Sequence, residues 1–128
     1  PVYVSRNDES KRVYIWGYNW SEPVAEIRNA AYEEVLRLDS GNMIARIGES
    51  NDLSGDSAEM RWLHALRGNL PDAEVTIFTY VPLLGIESVT DPAGRTTYYE
   101  YDTANRLARI RDENGNVLEA YEYHYRNN

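Results

Sequence analysis

The sequence contains no cysteine. Disulfides, thiolate nucleophiles and cysteine-ligated zinc are therefore excluded. No apolar run approaches the roughly 18 residues of a membrane-spanning helix, so membrane insertion is not expected. Positive charge is in deficit, with 13 Lys and Arg against 21 Asp and Glu and a formal net charge of −8. Nucleic-acid binding needs a positive field to release counterions from phosphates. No basic stripe offsets the acidic balance, so neither nucleic acid nor an anionic membrane surface is an expected partner. Histidine is confined to His64 and His124. No His-x-x-x-His pair occurs where a metal would need three or four converging ligands. There is no G-x-S-x-G elbow and no glycine-rich phosphate loop after a strand. No catalytic, cofactor or metal site is expected.

Phenylalanine is nearly missing as well, yet aromatics are plentiful: 11 Tyr and 3 Trp stand against one Phe. Tyrosine suits pleated, half-buried surfaces, because its ring packs while its hydroxyl reaches water. The balance points to sheets with wet faces or to a binding surface. At 128 residues, 42% hydrophobic and 27% charged, the chain has the composition of one ordered domain. It begins with Pro1 and not Met, as expected of a processed or excised piece.

Along the chain, Val2 to Tyr18 reads as a hairpin, with β-rich runs on both sides of the polar cluster Arg6 to Ser10. Pro23 to Ile27 is a further short strand. Asn29 can then cap a helix over Ala30 to Leu38, with Ala31, Val35 and Leu38 on one face. A second turn of helix covers Met43 to Ile47. Residues 48–57 form a polar loop. Asp56 or Ser57 caps the next helix, and Asp56 with Glu59 resembles a capping box. Met60, Leu63, Leu66 and Leu70 form its apolar stripe. From Val75 the period returns to two. Strands are expected over Val75–Val81, Ile86–Thr90, Thr96–Tyr101, Leu107–Arg111 and Val117–Tyr125. The turn clusters DPAG (91–94), DTAN (102–105) and DENGN (112–116) separate the last four.

These strands repeat. Laying Tyr80 on Tyr101 brings Ile86 onto Leu107, Val89 onto Ile110, Asp91 onto Asp112 and Gly94 onto Gly115. Laying Tyr18 on Tyr101 brings Val24 onto Leu107 and Ile27 onto Ile110. A single hairpin is marginal alone, and stacked hairpins share a buried face. The segment DPAGRTTYYEYDTANRLARIRDENGNVLEAYEYHY (91–125) closely resembles the YD repeat of RHS-type proteins, which runs roughly G-x-x-x-x-Y-x-Y-D-x-x-G-R-L. Gly94, Tyr99, Tyr101, Asp102, Arg106 and Leu107 match that pattern. Asn105 departs from it, standing where the family usually has Gly, and Asn tolerates the left-handed backbone that such a turn needs. YIWGYN (14–19) with PVAEI (23–27) looks like a degenerate unit.

The resemblance implies a C-terminal fragment of a large bacterial protein that is secreted or attached to the cell surface. Its repeats would curl into a β-shell that sometimes encloses a toxin. About four units are too few to close a shell, and YEYHYRNN (121–128) reads as the end of an array with no toxin domain attached.

The expected fold is α+β, one domain built on an antiparallel hairpin array. Residues 1–28 supply N-terminal hairpins, 29–71 a two-helix insertion packed on the sheet, and 72–128 the repeat hairpins. Leu63, Leu66, Leu38 and Val35 would cover Ile77, Ile110 and Val89. Asp91, Gly94, Tyr101, Asp102, Arg106, Leu107, Asp112 and Gly115 are expected to be structural positions of the repeat.

Two other readings of the acidic positions are weaker. Asp112, Asn114 and Asn116 have a calcium-loop spacing, but Val117 and Tyr123 stand where Gly and Glu are required. Asp91 and Asp102 recur with the turns, which favours a turn role over a catalytic pair. The aromatics most plainly pack across strands. Trp16, Tyr18, Trp20, Tyr99 and Tyr101 are the candidates for stacking a sugar, with Trp20 expected to be the most exposed. The leading expectation is a non-enzymatic structural or interaction segment. Its partners would be neighbouring repeats or a second copy joined through edge strands, and the alternative is a carbohydrate-binding module.

Overall fold

The computed structural model describes residues 11–124 together with a strand at residues 4–7. Its strands are β1 (Val4–Asn7), β2 (Arg12–Gly17), β3 (Glu22–Arg28), β4 (Glu74–Val81), β5 (Gly85–Thr90), β6 (Thr96–Tyr101), β7 (Leu107–Asp112) and β8 (Val117–Ala120). They form one antiparallel sheet in sequence order from β1 to β8. This is the expected α+β hairpin array. The first hairpin pairs β1 with β2. Val2 and Tyr3 and the middle of its turn (8–10) lie outside the described residues, as does Tyr125, and β8 ends at Ala120.

The insertion holds three helices where two were expected: α1 (Tyr32–Arg37), α2 (Met43–Glu49) and α3 (Ala58–Asn69). Its place in the repeat is informative. In the superposition of Tyr18 on Tyr101, Asn29 falls on Asp112, the first residue of a hairpin turn. The strands on either side, β3 and β4, still pair directly, from Ala25–Ile77 to Arg28–Glu74. The helices thus replace one hairpin turn of the array. Asn29 does not cap α1. It adopts a left-handed conformation (φ 63°), and its side chain donates to the Asp72 carbonyl at 3.0 Å, closing the neck of the insertion.

Local chemistry explains each helix start. Ala31 is the N-cap of α1, and Glu34 reaches back to accept its amide at 3.2 Å. The Asp39 carboxylate accepts the Ile44 amide in the first turn of α2. Ser57, and not an Asp56–Glu59 box, caps α3 by accepting the Met60 amide at 3.2 Å. Trp62 Nε1 donates to the Leu38 carbonyl, and Arg46 pairs with Glu59 at 2.7 Å, tying α3 to the end of α1 and to α2.

The core lies between these helices and one face of β2–β4. Val13, Ile15, Ile27, Val75 and Ile77 meet Val35, Ile44, Ile47, Leu63 and Leu66, all at most 1% exposed. Burying a side chain of this size stabilises by about 1.5–3 kcal/mol. Val89 and Ile110 do not belong to this core. Ser88 and Thr90 are buried on the covered face, so Val89 between them points to the other side. Ile110 pairs with Tyr99, one position off the Ser88–Tyr98–Arg111 row. It too faces away from the helices.

Candidate functional site

Three turns share one construction. Asp91, Asp102 and Asp112 each accept the amide of the residue three positions on through the main-chain carbonyl, from Gly94 at 2.8 Å, Asn105 at 3.0 Å and Gly115 at 3.1 Å. Each carboxylate also accepts the amide four positions on, from Arg95 at 2.9 Å, Arg106 at 3.0 Å and Asn116 at 2.8 Å. The fourth residue of each turn is left-handed: Gly94 φ 87°, Asn105 φ 63°, Gly115 φ 88°. This is the hairpin loop in which a type I turn is followed by an αL residue. It explains why glycine or asparagine recurs there. Amide donation holds all three carboxyls below the usual carboxylate range: chiefly from Arg95 to Asp91, from Arg106 to Asp102, and from the Asn116 side chain to Asp112. The three aspartates are turn formers.

Tyrosine hydroxyls link each unit to the strand before it. Tyr101 Oη donates to the carbonyl of Ile86 at 2.8 Å, and Tyr123 Oη to that of Leu107 at 2.5 Å. Tyr80 Oη makes the same bond to Pro23 at 2.7 Å, across the helical insertion. Gly85 leaves room for this link, since a Cβ there would lie 2.8 Å from Tyr101 Oη. Arg106 pairs with Asp102 at 3.1 Å and lies 4.1 Å over the Tyr123 ring, joining one unit to the next.

Of the sugar-stacking candidates, Trp16 is half-buried on the sheet face away from the helices, in alternation with buried Ile15 and Gly17. Tyr99 shares that face, but it lies on β6, four strand spacings away, or about 19 Å at roughly 4.8 Å per strand. The two do not converge. Tyr101 is turned by a register shift between Glu100 and Tyr101.

Trp20 is not the exposed aromatic. Its indole lies against Gly48 of α2, where a Cβ would collide with the ring, and its amide donates to the Gly48 carbonyl at 2.9 Å. Tyr18 also leaves the face of Tyr14 and Trp16, and is 9% exposed. The cause is a run of left-handed residues, Tyr18 (φ 53°), Asn19 (φ 57°) and Trp20 (φ 64°). Non-glycine residues normally visit this region singly, at a cost of about 1–2 kcal/mol each. The Ser21 amide, donating to the Gly17 carbonyl at 3.0 Å, helps hold the run.

This strained turn brings Tyr18 against Tyr80, edge to face, with centroids 5.3 Å apart. The Tyr80 amide donates to Tyr18 Oη at 2.9 Å. Burial raises the Tyr18 hydroxyl, and burial with Glu22 and Tyr18 nearby pushes Tyr80 up to about 12. Beside the pair lies a groove of about 540 Å³, walled by Tyr18, Tyr80 and the segment Val81–Gly85, with Glu22 at its rim. A smaller depression of about 280 Å³ continues past the same tyrosines to Asp52 and Glu87. Sequence reasoning missed this site. Tyr18 and Tyr80 are 62 residues apart, and nothing local signals the left-handed run.

Among the described residues no group of three or more His, Cys, Asp or Glu is placed to hold a metal ion, and no helix is long and apolar enough to cross a membrane. A family model described as RHS Repeat matches residues 86–117. That span contains all three aspartate turns and the Tyr101 link. No curated protein and no solved structure matches the chain.

Proposed function

From the RHS repeat at residues 86–117, a structural repeat of larger proteins, we propose that the chain is a non-enzymatic structural and interaction segment of a large bacterial cell-surface or secreted protein. Its C-terminal sheet edge receives a further strand from a neighbouring repeat or a second copy. The observation that carries this is β8, the last strand of the sheet, whose four residues are all exposed. Apolar and aromatic side chains gather there: Val117 is 55% and Leu118 60% exposed, with Tyr121 and Tyr123 beside them. An open edge of this kind carries unpaired backbone donors and acceptors and is a template for pairing.

Sedimentation velocity over a concentration series tests the edge. The expected result is a concentration-dependent dimer that Leu118→Lys abolishes while the circular dichroism stays unchanged. A chain that remains monomeric at every concentration, or a dimer indifferent to Leu118→Lys, overturns pairing between copies through β8.

One observation favours a second reading. Tyr14 and Trp16 lie together on the uncovered face, and Tyr14 Oη donates to Glu26 at 3.4 Å. An aromatic ledge beside a carboxylate suits the stacking of a sugar ring. A glycan array with wild type and Trp16→Ala decides this: selective binding lost in the variant supports it, and a blank array on folded protein removes it.

A further inference from the structure

We infer that the groove beside Tyr18 and Tyr80 is a docking site for an extended protein segment that carries an arginine or lysine next to an apolar residue. This inference is independent of the β8 edge. Three features fix the chemistry of the occupant.

The walls are apolar and aromatic, and one of them is displayed in water. Leu83 is fully exposed and left-handed (φ 67°). A leucine held in a strained conformation at a lip, with nothing covering it, is costly in a free monomer and useful against a partner.

The rim is acidic at both ends. Glu22 borders the main groove, and Asp52 and Glu87 border its continuation. None of these three has a cationic partner among the described residues, whereas Glu26, Glu59, Glu74, Asp91, Glu100 and Asp102 all do. Unpaired carboxylates around an apolar trough complement a ligand that is apolar in the middle and positive at its side.

A hydrogen-bond donor is also left over. Tyr18, nine-tenths buried, accepts the Tyr80 amide, and its own proton has no acceptor among the described residues. It lines both parts of the groove and can donate to a peptide carbonyl. The Tyr80 hydroxyl is already committed to Pro23.

Length argues for a peptide segment over a single small cation, because the two depressions run on from one another past the same tyrosine pair. Charge argues against a second copy of this chain, whose net charge is also −8.

The test uses the whole chain and two short blocked peptides: one with arginine between two leucines, the other with glutamate in the arginine's place. Tyrosine fluorescence or NMR shifts report binding. The arginine peptide should bind at least about tenfold more tightly, a difference of about 1.4 kcal/mol. Most of that preference should vanish at about 1 M salt, where the Debye length is about 3 Å. Glu22→Gln with Glu87→Gln should remove it at low salt with the fold intact by circular dichroism, and Leu83→Ser should weaken both peptides alike. Equal affinities, no binding of either peptide, or a preference untouched by the glutamate substitutions overturns the proposal. A dimer broken by Leu83→Asp overturns it in favour of a second copy.

Discussion

Residues 11–81 and residues 82–124 are two parts of one sheet, held together by different physics. In the first part, β2–β4 lie under three helices, and every buried apolar side chain of the described residues falls between Val13 and Ile77. In the second part, the only buried residues are Ser88 and Thr90. There the strands are joined by aspartate turns, tyrosine hydroxyls and hydroxyl pairs such as Thr90 with Thr96 at 2.9 Å. The part that matches the family model is thus the part without a core. A repeat of this kind specifies its shape locally, through turn chemistry and register, and depends on what lies beside it for burial. On one side that neighbour is the helix-covered half, anchored by Arg67 of α3, which donates to the carbonyls of Val75, Asp91 and Pro92. On the other side lies β8, the last strand among the described residues, whose four residues are all exposed.

The largest expected effect exposes this contrast directly. Leu63→Ala, at a position 0% exposed, should cost about 2–5 kcal/mol of unfolding free energy. Ile110→Ala, on the half-buried outer face of β7, should cost less than about 1.5 kcal/mol, since less apolar area leaves water. Chemical denaturation of both variants checks this. Equal losses would mean that the repeat half carries a core of its own.

Acid and alkali should act through different groups, turn aspartates at one extreme and tyrosines at the other. Asp91, Asp102 and Asp112 are depressed in the folded state. Their contribution is present above the unfolded value of about 3.9 and is lost as pH falls through the folded values. Glu59, in the first turn of α3, is lowered likewise, whereas all three aspartates sit in the turns of 91–116. Acid should therefore release amides of 91–116 before those of β2 and β3. Tyr80 works in the opposite direction: it is raised to about 12, so its contribution is complete below about 10 and is lost as pH rises towards 12. Hydrogen exchange followed from neutral to acid, and tyrosine absorbance followed to alkali, check the two limbs. Simultaneous release of both halves by acid would erase the contrast.

What could be read in the sequence follows the same division. The repeat half was legible because its determinants are local: an aspartate, a glycine or asparagine three positions on, and one linking tyrosine per unit, Tyr80, Tyr101 and Tyr123. The apolar stripe Met60, Leu63, Leu66 and Leu70 was legible for the same reason, and all four are buried. What failed is non-local. Strand pairing sets the faces: Val89 opposes Phe78 and Ile110 opposes Tyr99, each one position off the rows that hold Ile77, Thr90 and Ser88, so Val89 and Ile110 face away from the helices. Asn29 looks like a helix cap by type, but it sits where a hairpin turn would begin and closes the insertion. Trp20 looked exposed because a polar turn surrounds it, while the helix residue it rests on, Gly48, is 28 positions away.

Smaller effects test whether the turns and links really replace a core. Gly115→Ala meets no neighbouring atom, so its whole cost is the left-handed backbone at φ 88°, about 1–2 kcal/mol. It should raise amide exchange across β7–β8 and leave α3 unmoved. Tyr101→Phe removes the bond to Ile86 and should cost about 1 kcal/mol, read in the same exchange experiment as faster opening of β5 and β6. A loss spread over the whole chain in either variant would show that the two halves unfold as one unit.

The smallest expected change runs in the stabilising direction. Asn105 already holds the left-handed conformation at φ 63°, where the RHS-type pattern has glycine. Asn105→Gly relieves the side-chain cost of that conformation but gives the unfolded chain more freedom to lose. The two terms oppose each other, so the net shift should stay within about 0.5 kcal/mol. Asn105→Ala has no such compensation and should destabilise by about 1 kcal/mol or more, because alanine tolerates this region less well than asparagine. Thermal unfolding of the pair measures the difference. If alanine is as well tolerated as glycine at 105, then Asp102, which accepts the Ala104 and Arg106 amides and pairs with Arg106, holds the turn by itself, and the fourth position of the repeat is a preference of the backbone and not a requirement.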